Sequence, residues 1–331
     1  MGSSAQVSPA GATPEFLAAF RTAADAEATM SFDRFMALAL YHPHVGYYRR
    51  DRARVGYGPG TDFFTATTSG PIFGELIAAA CAKLLGPADP HEHTFIEIGA
   101  EPGGGVLTGV AHPFGSSRTI RLGEPIELSG PCVVFSNELF DAQPFSRYVR
   151  RDGQWREIAV RLDGDTLREV ERPTLPSTAL PAIDHDGYHF DAPHEAAALA
   201  AELARQAWSG LFVAFDYGKS LRELSEATPA GTARAYHLHT QSNDLLSRPG
   251  EQDLTCHVCW DWLSDALQQN GFASPVIESQ EAFLIRHAGE AIAAISASEA
   301  SRASQRKLAL LQLLHPAHLG QKFQVLHARR D

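Results

Sequence analysis

Cysteine is scarce in this chain: four residues in 331, at Cys81, Cys132, Cys256 and Cys259. So few, so scattered, exclude a disulfide framework and make a reducing compartment the default expectation. No apolar run approaches the roughly 20 residues that a membrane-spanning helix needs, so no membrane partner is expected. The stretch from Met1 to Met30 is small, polar and acidic rather than basic and then apolar, which is not a secretory leader. Together these absences predict a cytoplasmic protein. Basic residues are outnumbered as well: 28 Lys and Arg against 39 Asp and Glu leave a formal net charge of -11, which argues against a nucleic-acid partner. What remains is a globular composition, 44% hydrophobic, sufficient for one large domain with additions or two modest ones.

Residues 1–13 mix Ser, Ala, Gly and Pro without pattern and read as a disordered tail. Residues 14–93 read as a helical and lid region. A helix is expected from Pro14 to about Ala26, and a second, capped by Ser31, with Phe32, Phe35, Met36 and Leu40 at helical spacing. A glycine- and aromatic-rich loop runs from Val45 to Ser69, and a third helix from Ile72 to Leu85. Residues 94–331 then alternate short apolar strands with helices. The strands are 94–98, 132–136 and 211–216, the last preceded by a helix over about 193–208, and such a pattern predicts a parallel sheet covered on both faces. Within this region, about 145–170 alternates around Asp152-Gly153 and Asp163-Gly164, the mark of inserted antiparallel hairpins. A helix over about His257 to Gln269, two further helical stretches and a closing edge strand at Lys322–Leu326 complete the reading.

In an open α/β sheet, ligands sit at the carboxyl ends of the strands. Three such ends carry carboxylates beside turn residues here: Glu97-Ile-Gly99-Ala-Glu101-Pro-Gly103, Asn137-Glu138-Leu-Phe-Asp141, and Asp216-Tyr-Gly. Glycine lets a ligand reach bare backbone, so Gly99 and Gly103 are cofactor-loop candidates, and Glu101 between them is out of character. The alternative is that these acids only cap helices. A nicotinamide reading of the glycine spacing fails for want of a Tyr and Lys four apart. Cys256-His257-Val258-Cys259 has zinc-ligand spacing but no second pair, so no metal is expected there, and the cysteines read as a helix start. His237 and His239 fall in a polar loop.

Longer motifs run in order from Met30 almost to the end: Met30-Ser-Phe-Asp-Arg-Phe, Tyr41-His-Pro-His-Val-Gly-Tyr-Tyr, Thr61-Asp-Phe-Phe-Thr, Asn137-Glu-Leu-Phe-Asp-Ala-Gln-Pro-Phe, Asp216-Tyr-Gly and Pro249-Gly-Glu-Gln-Asp-Leu-Thr-Cys-His-Val. The chain resembles the MidA family, that of the mitochondrial complex I assembly factor with protein arginine methyltransferase activity. The resemblance implies a class I, Rossmann-like methyltransferase fold, S-adenosyl-L-methionine as cofactor, and an arginine presented by a protein as substrate. Arginine is a planar, permanently charged fork, and paired carboxylates hold such a fork in one plane. Glu138 and Asp141, with Asn137 beside them, are the expected catalytic residues. Glu97, Gly99, Gly103 and Asn137 are expected at the cofactor, with Asp62, Phe63 and Thr65 in an aromatic lid that excludes water.

The chain departs from the family at two places. Its usual loop is Glu-x-Gly-Pro-Gly-x-Gly, and Glu101 stands where the central glycine belongs. The stretch from Gly105 to Cys132 holds one expected helix, Val106–His112, and one strand, Thr119–Leu122, which is too little for every strand-helix unit of the usual sheet, since a crossover alone takes about a dozen residues or more. Glu124 and Glu127 are the only carboxylates there for a ribose. Weak cofactor binding is therefore expected. Two readings follow: a working methyltransferase with a trimmed site, or an eroded relative that grips or assembles a protein without methyl transfer.

Overall fold

The computed structural model describes residues 11–49, 70–174, 180–299, 304–315 and 320–331. The chain divides into two compact units, each assembled from three stretches: Met1–Phe63, Ala142–Glu195 and Leu221–His257 in one, and Phe64–Asp141, Ala196–Ser220 and Val258–Asp331 in the other. The linear division at residue 93 does not coincide with this one, because strand pairing joins segments far apart in sequence.

In the first unit, helix α1 (Pro14–Ala23) starts with Pro14 in its first turn, and the Thr13 hydroxyl accepts the Phe16 N–H. Helix α2 (Phe32–Tyr41) follows strand β1 (Thr29–Ser31); Ser31 occupies its N-cap position without making the side-chain bond expected of it. Phe32, Phe35, Met36 and Leu40 lie on the face of α2 that is buried, with Phe16, Phe20, Phe145, Val160 and Leu254 in the same core. The expected hairpins are present: β5 (Ser146–Arg151), β6 (Gln154–Asp163) and β7 (Thr166–Pro173), with β8 (His189–Ala192) beside β5 and β1 beside β6. Asp152 and Gly153 both take positive φ in the first turn, as a two-residue hairpin requires. The short helix α5 (Leu221–Glu226) and the small sheet β12-β11-β13 complete the unit, β11 being Arg234–His237, β12 Thr240–Ser242 and β13 Asp253–Thr255.

The second unit is a six-stranded sheet. Strands β2 (Thr94–Ile98), β3 (Ser116–Ile120), β4 (Gly130–Asn137) and β9 (Trp208–Asp216) are parallel, in the order β9-β4-β2-β3. Beyond β9 the order continues to β16 (Gln324–Arg330) and β15 (Val276–Ser279), both pairings antiparallel. The closing strand is thus interior rather than at the edge, with Val325 and Leu326 fully buried. The edge is occupied by β15.

Both faces are covered, and the strands alternate accordingly. Val133, Phe135, Leu211, Val213 and Phe215 face a core shared with helix α3 (Pro71–Leu84), α7 (Gln280–His287), α8 (Gly289–Ser298) and α9 (Gln305–Leu314). Cys132, Val134, Phe212 and Ala214 face α4 (His194–Arg205) and α6 (Trp260–Gln268) on the other side. That three-layer arrangement is the physical meaning of their continuous apolar runs. Among the described residues three helices, not two, follow α6. The helix that was expected from His257 begins at Trp260 instead, because Val258 and Cys259 form a short strand, β14, parallel to β10 (Gly218–Lys219).

The helix expected over Val106–His112 is absent. These residues form turns, and Val106, Leu107, Val110 and Phe114 insert into the core from an irregular segment. Gly109 sits there at φ +71°, a left-handed value that ends a helical run. Strand β3 begins at Ser116, earlier than expected, and nothing pairs with its outer side among the described residues. The sheet therefore stops one parallel strand beyond β2.

Candidate active site

The three carboxyl ends named from sequence are neighbours, because β2, β4 and β9 are adjacent and in parallel register: Ile98 pairs with Ser136, and Asn137 with Phe215. Asp216 closes β9 and is fully buried. One of its oxygens, Oδ2, accepts the N–H of Phe140 at 2.9 Å and of Asp141 at 3.3 Å, and Oδ1 accepts that of Tyr217 at 2.8 Å. Burial drives its carboxyl up to about 7 against the pull of those bonds. Asp216 is thus the anchor of the turn that follows β4.

Glu138 lies on that turn with φ +53°, a conformation that costs a side-chain-bearing residue about 1 kcal/mol or more. Its N–H donates to Phe215 O at 2.9 Å, which continues the β4–β9 ladder by one residue. Its Oε1 accepts from the Asn137 amide at 3.0 Å. Asp141 is buried on the same turn. The Asn137 Oδ1, in contrast, is buried without a hydrogen-bond partner, as is the Ser136 hydroxyl.

At the end of β2, Glu97 is buried and accepts the Val106 N–H at 2.5 Å. Burial, opposed by that bond, raises its carboxyl to about 7. The segment after β2 is shaped around it: a Cβ at Gly105 would stand 2.5 Å from Glu97 Oε2 and 2.4 Å from the Thr119 methyl. Gly99 follows β2 at φ +82°, with Leu139 Cδ1 3.0 Å from where its Cβ would be. Gly103 lies open, with no neighbour within 4 Å of a Cβ. Of the loop glycines at 99, 103, 104 and 105, Gly105, the last of the glycine spacing, is the one where a Cβ would be most tightly opposed. Glu101 is half-buried, and its carbonyl accepts the Gly104 N–H.

Asp62, Phe63 and Thr65 lie outside the described residues. Glu124 is exposed and folds back onto its own turn, accepting the Arg121 N–H at 2.7 Å; Glu127 is exposed. His237 sits on β11 with its Nδ1 against Glu251 O, and His239 is in the hairpin turn that follows. Cys256 and Cys259 are both buried, burial pushes the Cys259 thiol up to about 12, and neither initiates the helix by a side-chain cap.

A doubly wound sheet with glycine turns and carboxylates at its parallel carboxyl edge defines a nucleotide-type binding fold, and the comparisons specify it. Residues 120–277 match the family described as "Putative S-adenosyl-L-methionine-dependent methyltransferase". A COG1565 superfamily member from Burkholderia thailandensis, solved with S-adenosyl-homocysteine bound, superposes with a TM-score of 0.81 at 24% identity, covering 96% of this chain and 94% of that one. The fold is accordingly that of S-adenosylmethionine-dependent methyltransferases. Protein arginine methyltransferase NDUFAF7, mitochondrial, of Danio rerio is 27% identical, over 71% of this chain and 67% of the relative. Its Mus musculus counterpart is 27% identical over 59% of this chain and 45% of the relative. The chain thus spans about two thirds of one relative and less than half of the other.

These names overturn the expected cytoplasmic location, since the curated relatives are mitochondrial proteins. The physical reason is plain: scarce cysteines and the lack of a spanning helix describe any reducing aqueous compartment, not one address.

The described residues fit S-adenosylmethionine at its methionine end. That end carries an ammonium donor, and Asn137 Oδ1 is a buried acceptor without a partner, one residue past the Ile98–Ser136 pairing that leads into the Gly99 turn.

Proposed function

We propose that this chain is a methyltransferase acting on an arginine side chain of a protein, with Glu138 as the residue that grips the guanidinium. The observation that carries this reading is the turn 137–141, in which Glu138 is held in a strained conformation by Phe215 O while Asp216 fixes the following N–H groups. A strained residue persists where surroundings over-determine it, a pattern concentrated at functional sites. The activity named for the NDUFAF7 relatives supports the arginine substrate, and the family description supports methyl transfer from S-adenosylmethionine.

Glu97, Gly99 and Asn137 are the residues that would hold the cofactor. S-adenosylmethionine, when bound, supplies an electrophilic methyl group on a sulfonium. The chain's part is to present an acceptor nitrogen to it. A carboxylate at 138 accepts parallel N–H bonds from the guanidinium and fixes its plane, and Asp141 on the same turn adds a second negative charge.

A second reading is supported by the Glu97–Val106 bond: one loop N–H is already taken by the chain's own carboxylate, and no helix N-terminus follows the loop. On this reading the turn 137–141 grips a protein's arginine without methyl transfer. The two are separated by incubating native protein and Glu138→Gln with radiolabelled S-adenosylmethionine and a protein extract, then analysing hydrolysates for methylarginine. Label in methylarginine with native protein, lost in the variant, supports the first reading; no label with either supports the second.

A further inference from the structure

Away from the carboxyl edge, three side chains that the methyl-transfer reading does not use converge on one point. Glu278 lies on the edge strand β15, His327 on the neighbouring β16, and His287 in the last turn of α7. Glu278 pairs with Val325 and His327 with Val276, so Glu278 and His327 are diagonal neighbours on one sheet face. Helix α7 begins directly after β15, capped by the Ser279 hydroxyl at Ala282 N, and two turns later returns His287 to the same place. Glu278 Oε2 is 2.9 Å from His287 Nε2 and 3.2 Å from His327 Nε2, and the three ligand atoms lie within 4.8 Å of one another. Phe283 lies against both imidazoles, with ring centroids 5.0 Å and 5.6 Å away.

We propose that Glu278, His287 and His327 form a binding site for a zinc-type divalent cation. Two imidazole nitrogens and one carboxylate oxygen are the donor set that borderline divalent ions take, with a water completing a tetrahedron. At metal–ligand distances near 2.0–2.1 Å, tetrahedral ligand atoms stand about 3.3 Å apart, close to the two separations seen. Arg286 is ion-paired with Glu278 Oε1, the oxygen that does not face the histidines, although that oxygen accepts no hydrogen bond. Without metal, each Nε2–H donates to Glu278. On binding, each of these protons moves to Nδ1 or to solvent, and the freed lone pairs and the carboxylate take the ion.

The ion would clamp β15, β16 and α7 together on the antiparallel flank of the sheet, where β16 pairs with β9. The role is structural, since β16 is the strand that continues the sheet past Asp216.

The test is metal analysis of the full chain after chelator treatment and dialysis against zinc, for native protein, His287→Gln and His327→Gln. One equivalent in the native protein, with affinity at least about tenfold weaker in each variant, supports the site. No bound zinc in the native protein, or undiminished zinc in folded variants, overturns it. Should either variant fail to fold, cobalt(II) titration of the native protein decides. Visible d–d bands without thiolate-to-metal charge transfer support the site. Thiolate bands, which would place the ion at a cysteine, or no d–d bands, overturn it.

Discussion

The Asp216 carboxylate accepts the Phe140 N–H at 2.9 Å, linking the end of β9 to the turn after β4. Through this bond an invisible feature of the sequence, the adjacency of two strands 70 or so residues apart, becomes a rigid platform for Glu138. Asp216 is therefore a positioning residue. Replacing it with Asn puts an amide donor where N–H groups already point, and should cost about 2–3 kcal/mol of stability. Methyl transfer should fall with it, and denaturant unfolding alongside the methylarginine assay measures both. Unchanged stability would show that the turn does not depend on Asp216.

Glu138 separates function from stability. Glu138→Gln keeps the shape and removes the charge, and loss of a charge-assisted pair should weaken partner or transition-state binding by about 2–5 kcal/mol. Glu138→Gly should abolish activity yet leave the fold up to about 1 kcal/mol more stable, because glycine takes φ +53° without strain. A glycine variant that is less stable would mean the side chain contributes more to the fold than its backbone costs.

Stability should decline as pH rises toward neutrality. Glu97 holds its proton in the fold to about 7, against an ordinary carboxylate value of 4.5, and Asp216 behaves likewise. Between those values the folded chain binds protons that the unfolded chain has released. The contribution is thus full below the ordinary range and lost as pH climbs through about 7. Glu97→Gln should remove its share of the decline, on the order of 3 kcal/mol at most. Denaturation midpoints at about pH 5 and about pH 8 check this; an identical decline in the variant would assign it elsewhere.

The parallel strands were legible because each is a short, continuous apolar run, and β4 and β9 bury both faces as such runs require. Helix α2 was legible from the spacing of Phe32, Phe35, Met36 and Leu40. The hairpins were legible from Asp152-Gly153 and Gly164. The absent helix after Gly105 was misjudged because Val106, Leu107 and Val110 carry helical spacing while Gly109 imposes the opposite backbone sign. The composition of the two units was hidden, since nothing local announces that β1 pairs with β6 across more than a hundred residues. At the site, the strand-end carboxylates were visible as types but not as roles: Asp216 is an anchor, Glu97 occupies a loop donor, and Gly105 rather than Gly103 makes room. Glu278, His287 and His327 carry no spacing signal at all, because two strands and a helix end bring them together.

The central claim is that this carboxyl edge binds S-adenosylmethionine despite Glu101. Calorimetric titration with S-adenosylhomocysteine, on native protein and on Glu101→Gly, tests it most directly. The cofactor's carboxylate and that of Glu101 are like charges, and at a few ångströms with an effective dielectric near 20 their repulsion is on the order of 3–4 kcal/mol. Saturable but weak one-site binding by the native protein is expected, with markedly tighter binding by the glycine variant, by about two decades. No binding to either protein, even at millimolar ligand, would contradict it.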